Sequence, residues 1–292
     1  MNNKVGLFGT TSSGKTIYLA VLFEYLNTKN DSEFILDFNK EQDSWIYLSN
    51  IAQDLYEKKR LPEPTDRRSI RKVAFDLQKQ TKINGKFSIK SEFKLETYDF
   101  GGETLLDIFA PDIILNYNQI PEIPDENIPR ENKPTEHINI KKTIDSLIEE
   151  SSSFMFMIDP NPIGRHKQDR FIAAILKQII ETNQKKFRLK SDSVIDNVSL
   201  AFVLTKSDLY PQNQHTEREL IRIIPQSWKR AKKLYFLNER VKEFYITSLG
   251  YKTKNEITSD GIKYAIVPDI IEPDNIEKPL RWFKKQFDEF RK

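Results

Sequence analysis

Eight consecutive residues, Gly9-Thr10-Thr11-Ser12-Ser13-Gly14-Lys15-Thr16, fit the pattern G-x-x-x-x-G-K-[ST] without deviation. These residue types suit a bound polyphosphate. Glycines let backbone N–H groups converge on phosphate oxygens, and a following helix adds the positive end of its dipole. Lys15 would reach the β- and γ-phosphates, and the Thr16 hydroxyl would bind Mg2+. Further along stands Asp99-Phe100-Gly101-Gly102. A carboxylate at a strand end can hold a Mg2+-bound water, while the Gly102 N–H contacts a γ-phosphate. Thr65, in Leu61-Pro62-Glu63-Pro64-Thr65, offers a hydroxyl that could complete the metal sphere and sense the γ-phosphate. Ser69 is its nearby competitor.

Two later segments could read a base. Thr205-Lys206-Ser207-Asp208 fits [NT]-K-x-D. The Asp208 carboxylate would accept from guanine N1–H and N2–H2, and the Lys206 stem would lie along the base. Adenine lacks that donor pair, so the carboxylate selects guanine. Thr247-Ser248-Leu249 would supply a backbone N–H to guanine O6.

The elements between these motifs alternate. Residues 4–8 form a short apolar strand, and 15–28 a helix with Ile17, Leu19, Ala20, Leu22, Phe23 and Leu26 at three–four spacing. Residues 41–59 predict a helix with Trp45, Leu48, Ala52, Leu55 and Tyr56 on one buried face. Residues 70–78 and 92–98 read as strands, with Asn84-Gly85 as a turn signal between them. Residues 118–136 hold Pro121, Pro124, Pro129 and Pro134 and read as a surface loop. Helices are expected at 138–150, 167–182 and 214–237, the last broken at Pro225. Phe154–Ile158, Val198–Leu204 and Phe244–Thr247 read as strands, the first two as buried ones. Residues 251–277 read as loop with a short strand at 263–267. A closing helix, 279–291, carries Leu280, Trp282, Phe283, Phe287 and Phe290. Strands alternating with helices imply an α/β fold with a mostly parallel sheet covered on both faces. One domain over 1–292, with insertions near 30–69 and 110–140, accounts for the length.

Composition removes other chemistries. With 46 Lys plus Arg against 43 Asp plus Glu, the net charge is +3, which gives no reason to expect nucleic acid or a charged membrane surface. The absence of Cys removes disulfides, thiolate metal sites and a thiol nucleophile. His137, His166 and His215 show no metal-ligand spacing. No apolar run reaches the ~18 residues of a bilayer span, and the N-terminus lacks a signal-peptide pattern. The expected setting is cytoplasmic, with no membrane anchor.

The ordered set Gly9–Thr16, Thr65, Asp99–Gly102, Thr205–Asp208 and Thr247–Leu249 resembles the Ras-like, translation-factor-related P-loop GTPases. The resemblance implies a three-layer αβα sandwich whose six-stranded sheet has one antiparallel edge strand. It also implies GTP or GDP as ligand, Mg2+ as cofactor, and two switch segments that meet a protein partner or effector. Ser13–Leu19, the Pro-Glu-Pro-Thr65 segment, Asp-Phe-Gly-Gly-Glu103 and Pro279-Leu-Arg-Trp282 are similar to the bacterial double-GTPase family. That similarity implies a second GTPase as partner and a place in a conflict or signalling system. The chain departs from the Ras-like pattern at Glu103, which stands where a water-orienting Gln is usual. A carboxylate can orient water as an acceptor but cannot donate, and its charge repels a triphosphate, so slow intrinsic hydrolysis is expected. Arg60, Arg67 and Arg68 flank the Thr65 segment as candidate arginine fingers in cis. Two other readings stay open: a nucleotide-dependent scaffold with negligible turnover, and an ATP-using P-loop enzyme in which Thr205–Asp208 is accidental.

Overall fold

Strands and helices alternate as expected in a computed structural model that describes residues 3–10, 13–29, 32–38, 41–62, 71–83, 86–99, 135–159, 165–190, 193–207, 226–250, 254–257 and 263–290. The described order is β1 (Lys4–Gly9), α1 (Lys15–Thr28), β2 (Phe34–Asp37), α2 (Gln42–Tyr56), β3 (Arg71–Ile83), β4 (Lys86–Asp99) and α3 (Thr135–Glu150). It continues through β5 (Ser153–Ile158), α4 (Arg165–Phe187), β6 (Ser199–Leu204), α5 (Gln226–Leu234), β7 (Val241–Tyr245), β8 (Lys254–Ile257), β9 (Lys263–Ile266) and α6 (Lys278–Phe290).

Seven strands form one sheet in the order β2-β3-β4-β1-β5-β6-β7. β1 runs parallel to β4 and β5, and β5, β6 and β7 continue parallel. β3 is antiparallel to both its neighbours. The sheet is therefore mostly parallel, but it corrects the sequence expectation in two ways. It has seven strands rather than six, and the reversed strand lies second from the edge, because β2 adds outside it. β2 has four residues, too few for a period to stand out from its surroundings. Within 251–277 the short strand expected at 263–267 is β9, and the unexpected β8 pairs with it antiparallel as a separate two-stranded sheet.

β3 and β4 pair from Arg71↔Asp99 to Ile83↔Lys86, with Asn84 and Gly85 between the last partners. The register shifts at Leu77/Gln78, which turns the two ends of the ladder relative to each other. Arg71 thus lies opposite Asp99 at the functional end of the sheet.

The continuous apolar runs resolve into two faces. On β5, Met155 and Met157 join one core with α1, α2 and α6, while Phe154, Phe156 and Ile158 join another with α3, α4 and α5. Successive side chains of a strand point to opposite faces, so a strand covered on both sides is apolar throughout. α1 is buried almost all round because it lies between the sheet and α2, and Tyr18 donates its buried hydroxyl to Ile276 O at 3.2 Å. α6 turns Leu280, Phe283 and Phe287 fully inward, with Trp282 and Phe290 partly covered against the same core. On α2 the buried face is Leu48, Ile51, Ala52 and Leu55; Trp45, expected there, is 47% exposed, a correction to the face assignment.

Lys4 is buried and pairs with Glu96 at 3.0 Å and Glu150 at 2.7 Å. Among the described residues no helix is long and apolar enough to cross a membrane.

Candidate functional site

Parallel strands bring their C-terminal ends to one edge of the sheet. β1 ends at Gly9, β4 at Asp99, β5 at Ile158, β6 at Leu204 and β7 at Tyr245. Open α/β sheets bind ligands outside these ends. Most of the described motif residues follow directly from them.

The loop after β1 turns into α1 through Ser13 and Gly14. Ser13 N–H donates to Thr10 O at 3.2 Å. Gly14 has φ 79° and ψ 11°, a left-handed conformation that Gly adopts without the Cβ penalty. Among the described residues no side chain caps α1, which suits its N-terminus to a ligand's negative charge. The Ser13 hydroxyl is buried and bonds to nothing among the described residues, and the same holds for Ser207. A buried hydroxyl left unpaired costs about 1–3 kcal/mol, so these two atoms suit a site that a polar ligand completes.

Lys15 is buried, and its ammonium donates to Tyr98 O at 3.2 Å. Burial pushes its pKa below the ordinary lysine value, and the nearby Asp99 carboxylate opposes that shift. A phosphate placed beside it would compensate the buried charge.

Asp99 is 5% exposed and its Oδ2 accepts two hydroxyl donors. Thr16 Oγ1 lies at 3.2 Å and Tyr47 Oη at 2.7 Å. Hydroxyl and carboxylate oxygens are the hard donors Mg2+ takes, and Mg2+ usually keeps waters and phosphate oxygens rather than a full protein cage. Among the described residues no three His, Cys, Asp or Glu side chains gather into a metal cluster. The Thr16–Asp99 pair therefore fits a metal that arrives with a phosphate ligand. Burial, and then the Asp99 charge, push the Tyr47 phenol well above its usual pKa, so it remains a proton donor. The Arg71 guanidinium lies 4.4 Å over the Tyr47 ring.

After β6, Thr205 turns back toward the phosphate loop. Its hydroxyl lies 2.8 Å from Ser13 O and 3.0 Å from Ile158 O, and a Cβ added at Gly14 would meet that hydroxyl at 3.5 Å. One hydroxyl thus joins three strand-end loops. Thr205→Val keeps the shape and removes that link. It should cost roughly 1–2 kcal/mol of stability, read by urea unfolding. Lys206 has φ 54°, and its ammonium pairs with Asp159 at 2.6 Å. Gln168 holds the Asp159 backbone at both N–H and C=O. Beyond β7, Thr247 bridges to Asp274, and its hydroxyl accepts from Gly250 N–H at 3.0 Å. Gly250 has φ 91°, and a Cβ there would lie 2.7 Å from Glu272 O, so only Gly fits this close turn. Ser248 and Leu249 lie buried within it.

The structure thus brings Gly9, Thr10, Ser13, Gly14, Lys15, Thr16, Asp99, Thr205, Lys206, Ser248 and Leu249 to one sheet edge. Thr11, Ser12, Thr65, Ser69, Gly102, Glu103 and Asp208 lie outside the described residues, as do Arg67 and Arg68. The sequence reading missed Tyr47. Its partner Asp99 is 52 residues away, and nothing local in α2 distinguishes it from its neighbours.

Strand order and phosphate loop together define the class, a P-loop α/β fold whose mostly parallel sheet carries one reversed strand second from the edge. No protein-family model and no curated protein matches the chain. Among solved structures, the chain is similar to the Arl6 BBS3 small GTPase of Trypanosoma brucei, solved with a bound nucleotide analogue. That likeness has 9% identity and a TM-score of 0.42 and covers 99% of both chains. It is also similar to the GTP-bound Ski7 GTPase-like domain of S. cerevisiae, at 16% identity and TM-score 0.46, covering 99% of this chain and 50% of that one. A third is the SRb-GTP/SRX signal recognition particle receptor complex of Chaetomium thermophilum. There the figures are 14% identity and TM-score 0.37, with 86% of this chain and 92% of that chain covered. At these identities and scores the fold assignment rests on the strand order and the phosphate loop themselves.

Proposed function

We propose that the chain is a Mg2+-dependent guanine-nucleotide switch that hydrolyses GTP to GDP and phosphate. The observation that carries this reading is the convergence of Lys15, Thr16 and Asp99 at one sheet edge, with Thr205 tying the loop before Asp208 to the phosphate loop at 2.8 Å. Gly9–Thr16 would wrap the phosphates. Lys15 would pair with the β- and γ-phosphates, and Thr16, Asp99 and Thr65 would hold Mg2+. Once bound, the ion neutralises charge developing on the phosphate oxygens. Asp208 would accept from the guanine edge, Lys206 would leave Asp159 to lie along the base, and Ser248 and Leu249 would close over O6. Glu103 would accept a hydrogen bond from the attacking water. The water oxygen bonds to the γ-phosphorus as the bond to the β,γ-bridging oxygen breaks. Gly102 and Thr65, by touching the γ-phosphate, would report its presence through the switch segments to a protein partner. Effectors of a bacterial conflict or signalling system, or a second GTPase, are the partners the sequence resemblance favours. The whole chain would act as one domain.

Nucleotide competition tests the reading. Fluorescent GDP should be displaced by GTP but not by ATP, and Asp208→Asn should move the preference toward XTP by at least about ten-fold. ATP displacing as well as GTP, with no effect of the substitution, overturns guanine selection. Glu103 favours a second reading, a nucleotide-dependent scaffold; single-turnover hydrolysis indistinguishable from the spontaneous rate selects it over the enzyme.

A further inference from the structure

We propose that Tyr47 is a positioning residue for the Asp99 carboxylate, through which helix α2 sets the Mg2+ affinity of the site. This rests on the reading of Thr16 and Asp99 as the metal pair. Two hydroxyls, Thr16 Oγ1 and Tyr47 Oη, meet the same Asp99 oxygen, at 3.2 and 2.7 Å. They come from different elements, α1 and α2, which pack together beside the sheet. A carboxylate that receives two donors from two helices has its plane fixed. A carboxylate that must accept from a metal-bound water needs that fixed direction, and loss of such an orienting partner typically costs about 10–100-fold in metal affinity.

The surroundings keep the phenol in place. Its neighbour Leu48 is fully buried, and Ser44, one turn earlier, accepts a hydrogen bond from Ala74 N–H of β3 at 3.0 Å. Arg71 covers the ring from β3 at 4.4 Å, and its Cα stands opposite Asp99 in the ladder. Tyr47 itself is half-buried, its ring packed against the core that α1 and α2 share and its hydroxyl turned to the carboxylate. Trp45 and Ile46 beside it are exposed, 47% and 46%.

The test is the Mg2+ dependence of nucleotide release. The protein is loaded with mant-GDP, and dissociation is followed at a series of free Mg2+ concentrations and in EDTA. Tyr47→Phe keeps the ring and the Arg71 contact and removes only the hydroxyl. The Mg2+ concentration that half-protects mant-GDP should rise about ten-fold in Tyr47→Phe, while the release rate in EDTA stays that of the wild type. An unchanged midpoint in Tyr47→Phe overturns the proposal and leaves the guanine-nucleotide reading standing. A faster EDTA release with an unchanged midpoint also overturns it, since that is what a packing role would produce. Wild-type protein that binds mant-GDP without any Mg2+ dependence overturns the metal-pair reading itself.

Discussion

On the guanine-nucleotide reading proposed above, Lys15→Met should abolish tight GTP binding while leaving the unliganded fold as stable as the wild type, or more so. The two halves have one cause. The Lys15 ammonium is already buried in the protein, with Tyr98 O as a hydrogen-bond acceptor and Asp99 nearby. Desolvation outweighs the attraction of Asp99, which is why its pKa lies below the ordinary value. Folding therefore bears the cost of dehydrating this charge before any ligand arrives, and a phosphate meets a cation that needs no further desolvation. Removing a buried partner of a charge pair costs a complex about 2–5 kcal/mol, roughly thirty- to several-thousand-fold in Kd. Methionine keeps the unbranched stem, so the loop and α1 retain their packing. Calorimetric titration with GTP and Mg2+ reads the first half, and urea unfolding without nucleotide reads the second. GTP affinity within three-fold of wild type would sink the phosphate role of Lys15. A large loss of unliganded stability would show instead that the ammonium is a structural group.

The second large effect lies away from the nucleotide edge. Trp228, on α5, is fully buried, stacks on Phe202 of β6 and donates its indole N–H to Glu243 of β7 at 3.1 Å. It therefore joins a helix to the two outermost parallel strands. Trp228→Ala should cost about 3–5 kcal/mol, the usual range for truncating a buried aromatic. That is a large share of a total stability of about 5–15 kcal/mol. Trp228→Phe keeps most of the apolar contact and should cost about 1–2 kcal/mol, from the lost hydrogen bond and the smaller ring. Lys232 still pairs with Glu243 at 3.1 Å, so the carboxylate is not abandoned in either variant. Urea midpoints of the three proteins check the order. Equal midpoints for Ala and Phe would mean that α5 contributes little to the cooperative unit.

The sequence by itself determined the chemistry-bearing loops and the type of the long elements. Gly9–Thr16 is contiguous, so its pattern needs no knowledge of what packs against it, and α1, α4 and α6 declare themselves through three–four spacing. The apolar runs of β5 and β6 announced burial on two faces, because local composition records how much water a strand meets. Only the tertiary structure decided which core each side chain enters, since Phe154 and Met155 differ by one position and face opposite ways. It also decided that β2 joins the sheet outside β3, a pairing between partners far apart in the chain, from Phe34↔Lys79 to Asp37↔Asp76. The exposure of Trp45 had the same origin, because several faces of α2 carry apolar residues and only the position of α1 selects one. The Thr205 link to Ser13 spans 192 residues, and the Tyr47 link to Asp99 spans 52. Periodicity reports a residue's environment within a turn or a strand. Hydrogen bonds between distant loops are set by where the folded chain returns, and no local pattern encodes that return.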